Sequence, residues 1–199
     1  AGAGTSTVAQ SQRGGTAGQA LAVLRDLRLY QLISPALPIG GFTYSQGLEW
    51  AVEARWVHDN ITFAAWLDSL LAHSIATLDL PILLRLHKAC EHADWPRFKL
   101  WCNYLLASRE TMELRKEERQ RGAALLKLLP DLGITIPAGQ RESLAATQLA
   151  GMALAATQWE ISAEKTCSGY AWSWLESTVM AGVKLIPLGQ THGQQLTLK

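Results

Sequence analysis

The sequence predicts an all-α fold, a single-domain helical bundle of roughly seven to nine helices joined by short connections. Three observations predict it. Apolar residues recur at spacings of three and four almost everywhere after residue 20. No stretch of useful length alternates apolar and polar residues as a strand would. Capping residues, prolines and glycines punctuate the chain at helix-length intervals. With 199 residues, 48% of them hydrophobic, the chain can build one sizeable core.

The elements follow in order. Residues 1–20 are small and polar, with no apolar centre, and read as a flexible tail ahead of a helical domain spanning 21–199. "ALAVLRDLRLYQLIS" is a first amphipathic helix, ended by Pro35. After the turn "SPALPIGGFTYS", Ser45 or Thr43 is placed to cap a short helix through "QGLEWAVEARW". Asn60 is placed to cap a helix whose stripe is Phe63, Trp66, Leu67, Leu70, Leu71 and Ile75. Asp79 looks like the N-cap of the next helix, with Pro81 in its first turn, where a missing N–H does no harm. Asp94 repeats the device before a helix with the stripe Phe98, Trp101, Cys102 and Leu105. A charged helix, "SRETMELRKEERQRGAALLKLL", breaks at Pro130, and "DLGITIPAGQ" is the one long loop. "RESLAATQLAGMALAATQW" reads as one Ala-rich helix that neighbours can approach closely. Ser162 caps a last long helix, stopped by Pro187, with a stripe from Cys167 through Tyr170 and Trp174 to Gly182.

Composition removes several functions. A net charge of +1 argues against a nucleic-acid binder and against a polybasic membrane-surface protein. No apolar run approaches the ~18 residues needed to span a bilayer. Cys90, Cys102 and Cys167, odd in number and widely spaced, fit reduced thiols in a cytoplasmic protein. There is no GxxxxGK[ST] loop, and "PIGG" lacks the strand and the third glycine of a dinucleotide site. Ser45 stands outside any GxSxG, and a capping role suits it better than a nucleophilic one. Catalytic residues and cofactors are therefore assigned as none.

Metal chemistry has one candidate set. His87, Cys90 and His92 lie within six residues, and His87 and Cys90 share a helix face, a pairing suited to zinc or nickel. One such pair is too few ligands for a closed site, so the ordinary reading is a packed cysteine and two surface histidines. His58, His73 and His192 are isolated and read as surface residues.

The remaining signals concern docking. Arg109 to Arg121 is the densest charge run, spaced for the helical ion pairs Arg109–Glu113, Glu113–Lys116 and Glu117–Arg121. It is either a solvated helix face or an electrostatic docking face. Glu49, Asp79 and Lys184 stand in apolar surroundings; helix-end roles explain each, and so does a patch where charge meets apolar surface. Of the eight tryptophans most fall on buried stripes, and Trp50 and Trp172 are the exposed candidates.

Four stretches together carry a family resemblance: "QLISPALPIGGFTYSQGLEWAVE", "LDLP", "RETMELRKEERQRG" and "GYAWSWLESTVMAGVKLIPLGQ". From about Leu24 to Leu198 the chain resembles the urease accessory protein UreF family. The resemblance implies an all-α, cytoplasmic protein with no active site of its own. It implies binding to a UreD/UreH-type accessory protein, recruitment or regulation of a UreG-type GTPase, and delivery of nickel to apo-urease. It also implies a homodimer within that complex, and the composition adds the expectation of no nucleic-acid and no membrane partner. On it, Glu49, Asp79 and Lys184 are expected on the GTPase-facing surface, with Trp50, Arg109, Glu113, Arg115, Glu118 and Gln190 as a second tier. The domain is expected to lack the C-terminal end that family chains carry. The alternative is a direct nickel carrier using His87, Cys90 and His92.

Overall fold

A computed structural model describes residues 5–40, 47–186 and 196–197. Among the described residues it contains nine α-helices, one π-helical segment and no strand, the all-α bundle that the periodicity predicts. The helices are α1 (Thr5–Ile33), α2 (Leu48–Glu53), α3 (Asn60–Leu70), α4 (Leu80–Glu91), α5 (Trp95–Ala107), α6 (Met112–Leu128), α7 (Arg141–Ala146), α8 (Gln148–Gln158) and α9 (Ala163–Leu185). The π-helical segment, Leu71–Asp79, joins α3 to α4 without a break.

α4 lies centrally, packed on α5, α8 and α9. α8 is buried along its length from Gln148 to Ala156, because its small residues let α4, α6, α7 and α9 come close to its backbone. A single large apolar cluster runs from Leu32 through Phe63, Leu83, Phe98, Leu125 and Met152 to Trp174. Burying such side chains supplies ~1.5–3 kcal/mol each against chain entropy. α1 is pinned to the far end of the bundle by Arg25–Glu160, by Asp26–Lys165 at 2.5 Å, and by Arg28 stacked 5.0 Å above the Trp159 ring.

Several helix ends match the sequence reading. Asp94 accepts from Arg97 N–H at 3.1 Å, and Ser162 caps α9 through Lys165 N–H. Others differ. α3 is capped by Asp59, not Asn60, in a reciprocal box in which Thr62 N–H donates to Asp59 at 2.8 Å. α2 begins after Gly47, whose φ of 84° only glycine adopts without strain; the predicted caps Thr43 and Ser45 lie outside the described residues. The Ala-rich stretch is two helices, because Thr147 is extended and caps α8 through Leu149 N–H. That break receives α6: a Cβ on Gly122 would stand 2.6 Å from Thr147 N.

Asp79 is not a helix cap. Its backbone is right-handed helical and its side chain makes no capping bond, since the helix runs on through it. Pro81 is tolerated inside this 32-residue helix (Asn60–Glu91) by the widened π turns that precede it, where an α-helical carbonyl would meet the proline ring. By length and composition this helix is able to cross a bilayer, where the sequence reading expects no such run, because it joins two helices that the sequence reading separates at Asp79. Its apolar stripe instead faces the core, through Phe63, Leu67, Ile75, Leu83 and Leu86.

Candidate functional site

Among the described residues the densest chemistry is a buried polar network at the junction of the π-helical segment, α6, α8 and α9. Asp79 is 1% exposed. Tyr170 Oη–H donates to Asp79 Oδ2 at 2.6 Å, and Arg109 Nη2 donates to the same oxygen at 3.1 Å. Arg109 Nη1 lies 3.0 Å from Oδ1 but off the hydrogen-bonding line, so charge alone holds that oxygen. The other edge of the guanidinium donates to Glu118 Oε2, from Nη2 at 2.7 Å and Nε at 3.0 Å. Thr147 Oγ1–H closes the set on Glu118 Oε1 at 2.5 Å.

One arginine thus bridges two carboxylates, a task for a planar fork with five donors rather than a point charge. Burial pushes the Asp79 carboxyl up from its ordinary 3.8, with Arg109 pulling the other way. Burial also lifts the Tyr170 phenol well above its ordinary 10.0, and the neighbouring Asp79 adds to it. Burial opposes the charge on Arg109, but Glu118 and Asp79 outweigh it and hold the guanidinium protonated. A cleft of about 250 Å³ opens above, walled by His73, Glu110, Glu117 and Gln148 among others.

This geometry redraws the charge run. Arg109 sits in the linker before α6 and turns to Asp79 and Glu118, not to Glu113. Glu117–Arg121 does form, at 2.6 Å and mostly buried. Arg115 faces inward and donates to the Arg109 carbonyl at 2.5 Å, whereas Glu113 is exposed in the first turn.

The other expected docking residues lie at the surface. Glu49 is exposed in the first turn of α2 and Lys184 in the last turn of α9, two helices that pack together. Trp50 is 57% exposed and meets Trp56, 66% exposed, edge to face at 4.7 Å. Trp172 is exposed as expected. The sequence reading missed Trp56 by extending α2 past Glu53. It missed Tyr170 and Thr147 as network partners because neither spacing nor composition links positions so far apart. Asp79 departs from the expected surface patch, since it is interior. Gln190 and His192 lie outside the described residues.

The metal set is also redrawn. His87 is a core residue, 2% exposed, and not a surface histidine; its Nε2 donates to the Ile161 carbonyl at 2.9 Å. Burial pushes the Cys90 thiol up to about 12, far from a ligating thiolate. His92 is exposed at the end of α4. No group of three or more metal-competent side chains exists among the described residues.

A family model described as UreF matches residues 57–199. The chain is 52% identical over 170 residues to the urease accessory protein UreF of Pseudomonas putida strain W619, covering 85% of this chain and 76% of that one. It is 53% identical over 174 residues to the protein of that name from Alcanivorax borkumensis, covering 84% and 76%. Against that of Klebsiella pneumoniae strain 342 the identity is 49% over 173 residues, covering 87% and 77%.

Proposed function

The chain belongs to the UreF family of urease accessory proteins, and we propose that it serves urease maturation as a non-catalytic cytoplasmic scaffold. It binds a UreD/UreH-type accessory protein, recruits or regulates a UreG-type GTPase, and forms a homodimer in the complex that delivers nickel to apo-urease. The observation that carries the reading is the family match across most of the chain. Support for a binding role comes from exposed side chains on two helices that pack together: Glu49 and Trp50 of α2, with Trp56 just beyond it, and Lys184 in the last turn of α9. Exposed tryptophans beside charges suit a protein interface, where such residues dominate the energetics.

The test is urease activation in cells whose own family member is deleted. Glu49→Lys and Lys184→Glu are expected to lower activation while costing no more than ~1 kcal/mol of stability each, the scale of a charge at a helix end. Full activation by both reversed variants removes these residues from the interface. Unchanged activation when the whole chain is omitted removes the maturation role.

A further inference from the structure

We propose that the outward face of α1 is a self-association surface, covered by the same face of a second copy of this chain. The inference rests on the scaffold reading above and deepens it, because it assigns the homodimer to a named surface.

The polarity of α1 is reversed. The three charged residues between positions 18 and 33 turn toward the bundle: Arg25 pairs with Glu160, Asp26 with Lys165, and Arg28 lies over the Trp159 ring. Leu29 and Leu32 are buried on the same inward side. Gly169 lets the helix seat closely on α9, since a Cβ there would stand 2.9 Å from Leu29 Cδ1. The other large apolar residues point to solvent. Leu21, Val23, Leu24, Leu27 and Tyr30 are each between 46% and 61% exposed. Their spacing of three and four lays them along one stripe. They are five of the fifteen large apolar side chains exposed among the described residues, gathered within ten positions, so they form a patch rather than a scatter. Tyr30, Ile33, Gly169 and Trp172 line a groove of about 550 Å³ that continues the patch onto α9.

Charge and area decide what covers this face. A two-fold contact sets a patch against itself, so every charge in it would meet its like. The stripe carries none, because the charges of this helix are engaged on its inward side. An interface with a different protein is only about as apolar as the rest of the surface, whereas homodimer interfaces are more apolar. With Trp172 these side chains expose on the order of 600 Å² per copy, close to the ~800 Å² per partner of a standard-size interface.

The test is light scattering and sedimentation velocity on the isolated full chain. The parent is expected to dimerise with a Kd of ~10 µM or tighter, read between about 1 and 100 µM. Leu24→Glu and Leu27→Glu each place a charge in the contact twice, and each is expected to weaken the dimer at least ~30-fold. Leu100→Glu, at a residue 57% exposed on α5, should leave the dimer unchanged. Circular dichroism checks that each variant keeps its helix content. If Leu27→Glu loses helicity, Leu24→Ala/Leu27→Ala carries the same comparison, with an expected loss of ~10-fold. In the complex with the cognate UreD-type protein and GTPase, Leu27→Glu should halve the mass of the assembly with every chain still present.

A parent chain that stays monomeric throughout that range overturns the inference, as does a dimer that survives both Leu24→Glu and Leu27→Glu. Equal weakening by Leu100→Glu overturns the assignment to α1. If Leu27→Glu releases the UreD-type protein while the two copies stay paired, the face belongs to that protein and the inference fails. A parent chain that dimerises through α1 but forms no complex overturns the scaffold reading and leaves this inference standing.

Discussion

Gly182 of α9 lies against the ring of Phe63 so closely that a Cβ there would stand 2.2 Å from Cζ and 2.5 Å from Cε1. Phe63 is fully buried at the start of α3, so the ring has nowhere to swing. Gly182→Ala is expected to cost ~1–3 kcal/mol, the range for overpacking a filled core. Trimming the ring should relieve part of it: in urea unfolding, Phe63→Leu and Gly182→Ala together should cost less than the sum of the two alone. Simple additivity would mean that the contact is looser than it stands here.

Gly122 presents a harder case. The atoms a Cβ would meet there are backbone, Thr147 N at 2.6 Å and Ala145 O at 2.7 Å. No side-chain truncation can make room, so Gly122→Ala should push α6 off the α7–α8 break. The expected result is a larger fall in melting temperature than for Gly182→Ala. A smaller fall would show that the break yields easily.

His87 belongs to the core, with its Nε2 committed to the Ile161 carbonyl. His87→Ala leaves the Ile161 carbonyl without its donor, costing ~1–3 kcal/mol beyond the lost packing. Equilibrium dialysis with nickel should give the same result for the parent chain and for His87→Ala/Cys90→Ala. Micromolar binding that disappears in the double variant would restore the carrier alternative.

The thiols set an alkaline limit. Burial pushes Cys90 and Cys102 up to about 12, from an ordinary 9.0, and the half-buried Cys167 up to about 11. Between pH 9 and those values the unfolded chain has released thiol protons that the folded chain retains. The folded state then binds more protons, so stability falls as pH rises. Tyr170, raised in the same sense, adds to the fall above pH 10. Urea midpoints should therefore drop from pH 8 to pH 10.5, and a disulfide reagent at pH 8 should leave Cys90 and Cys102 unmodified until urea is added. Rapid modification of either in the native protein would contradict this burial.

Much of the helical framework was legible because it is local. Ser162 and Asp94 announce their helices by a short oxygen next to an apolar stripe, and the stripe from Tyr170 to Gly182 buries as its spacing says. The errors are equally local in cause. Asp79 followed closely by Pro81 has the signature of a helix start, yet π turns let the helix continue through both. Thr147 inside an Ala-rich run carries no breaking signal; it is held extended by α6 and by Glu118, which are distant in sequence. The network was hidden for the same reason. Arg109 had plausible partners four residues along its own helix, and only the tertiary packing shows that it sits before that helix and reaches 30 residues back to Asp79.

The central claim is that this chain is a scaffold, and the direct measurement is co-expression with its cognate UreD-type protein and UreG-type GTPase, followed by size-exclusion chromatography with light scattering. The account predicts one stable peak containing all three chains, with two copies of this one. Separate elution of the three chains, with this one retaining its helical circular-dichroism signal, would contradict it.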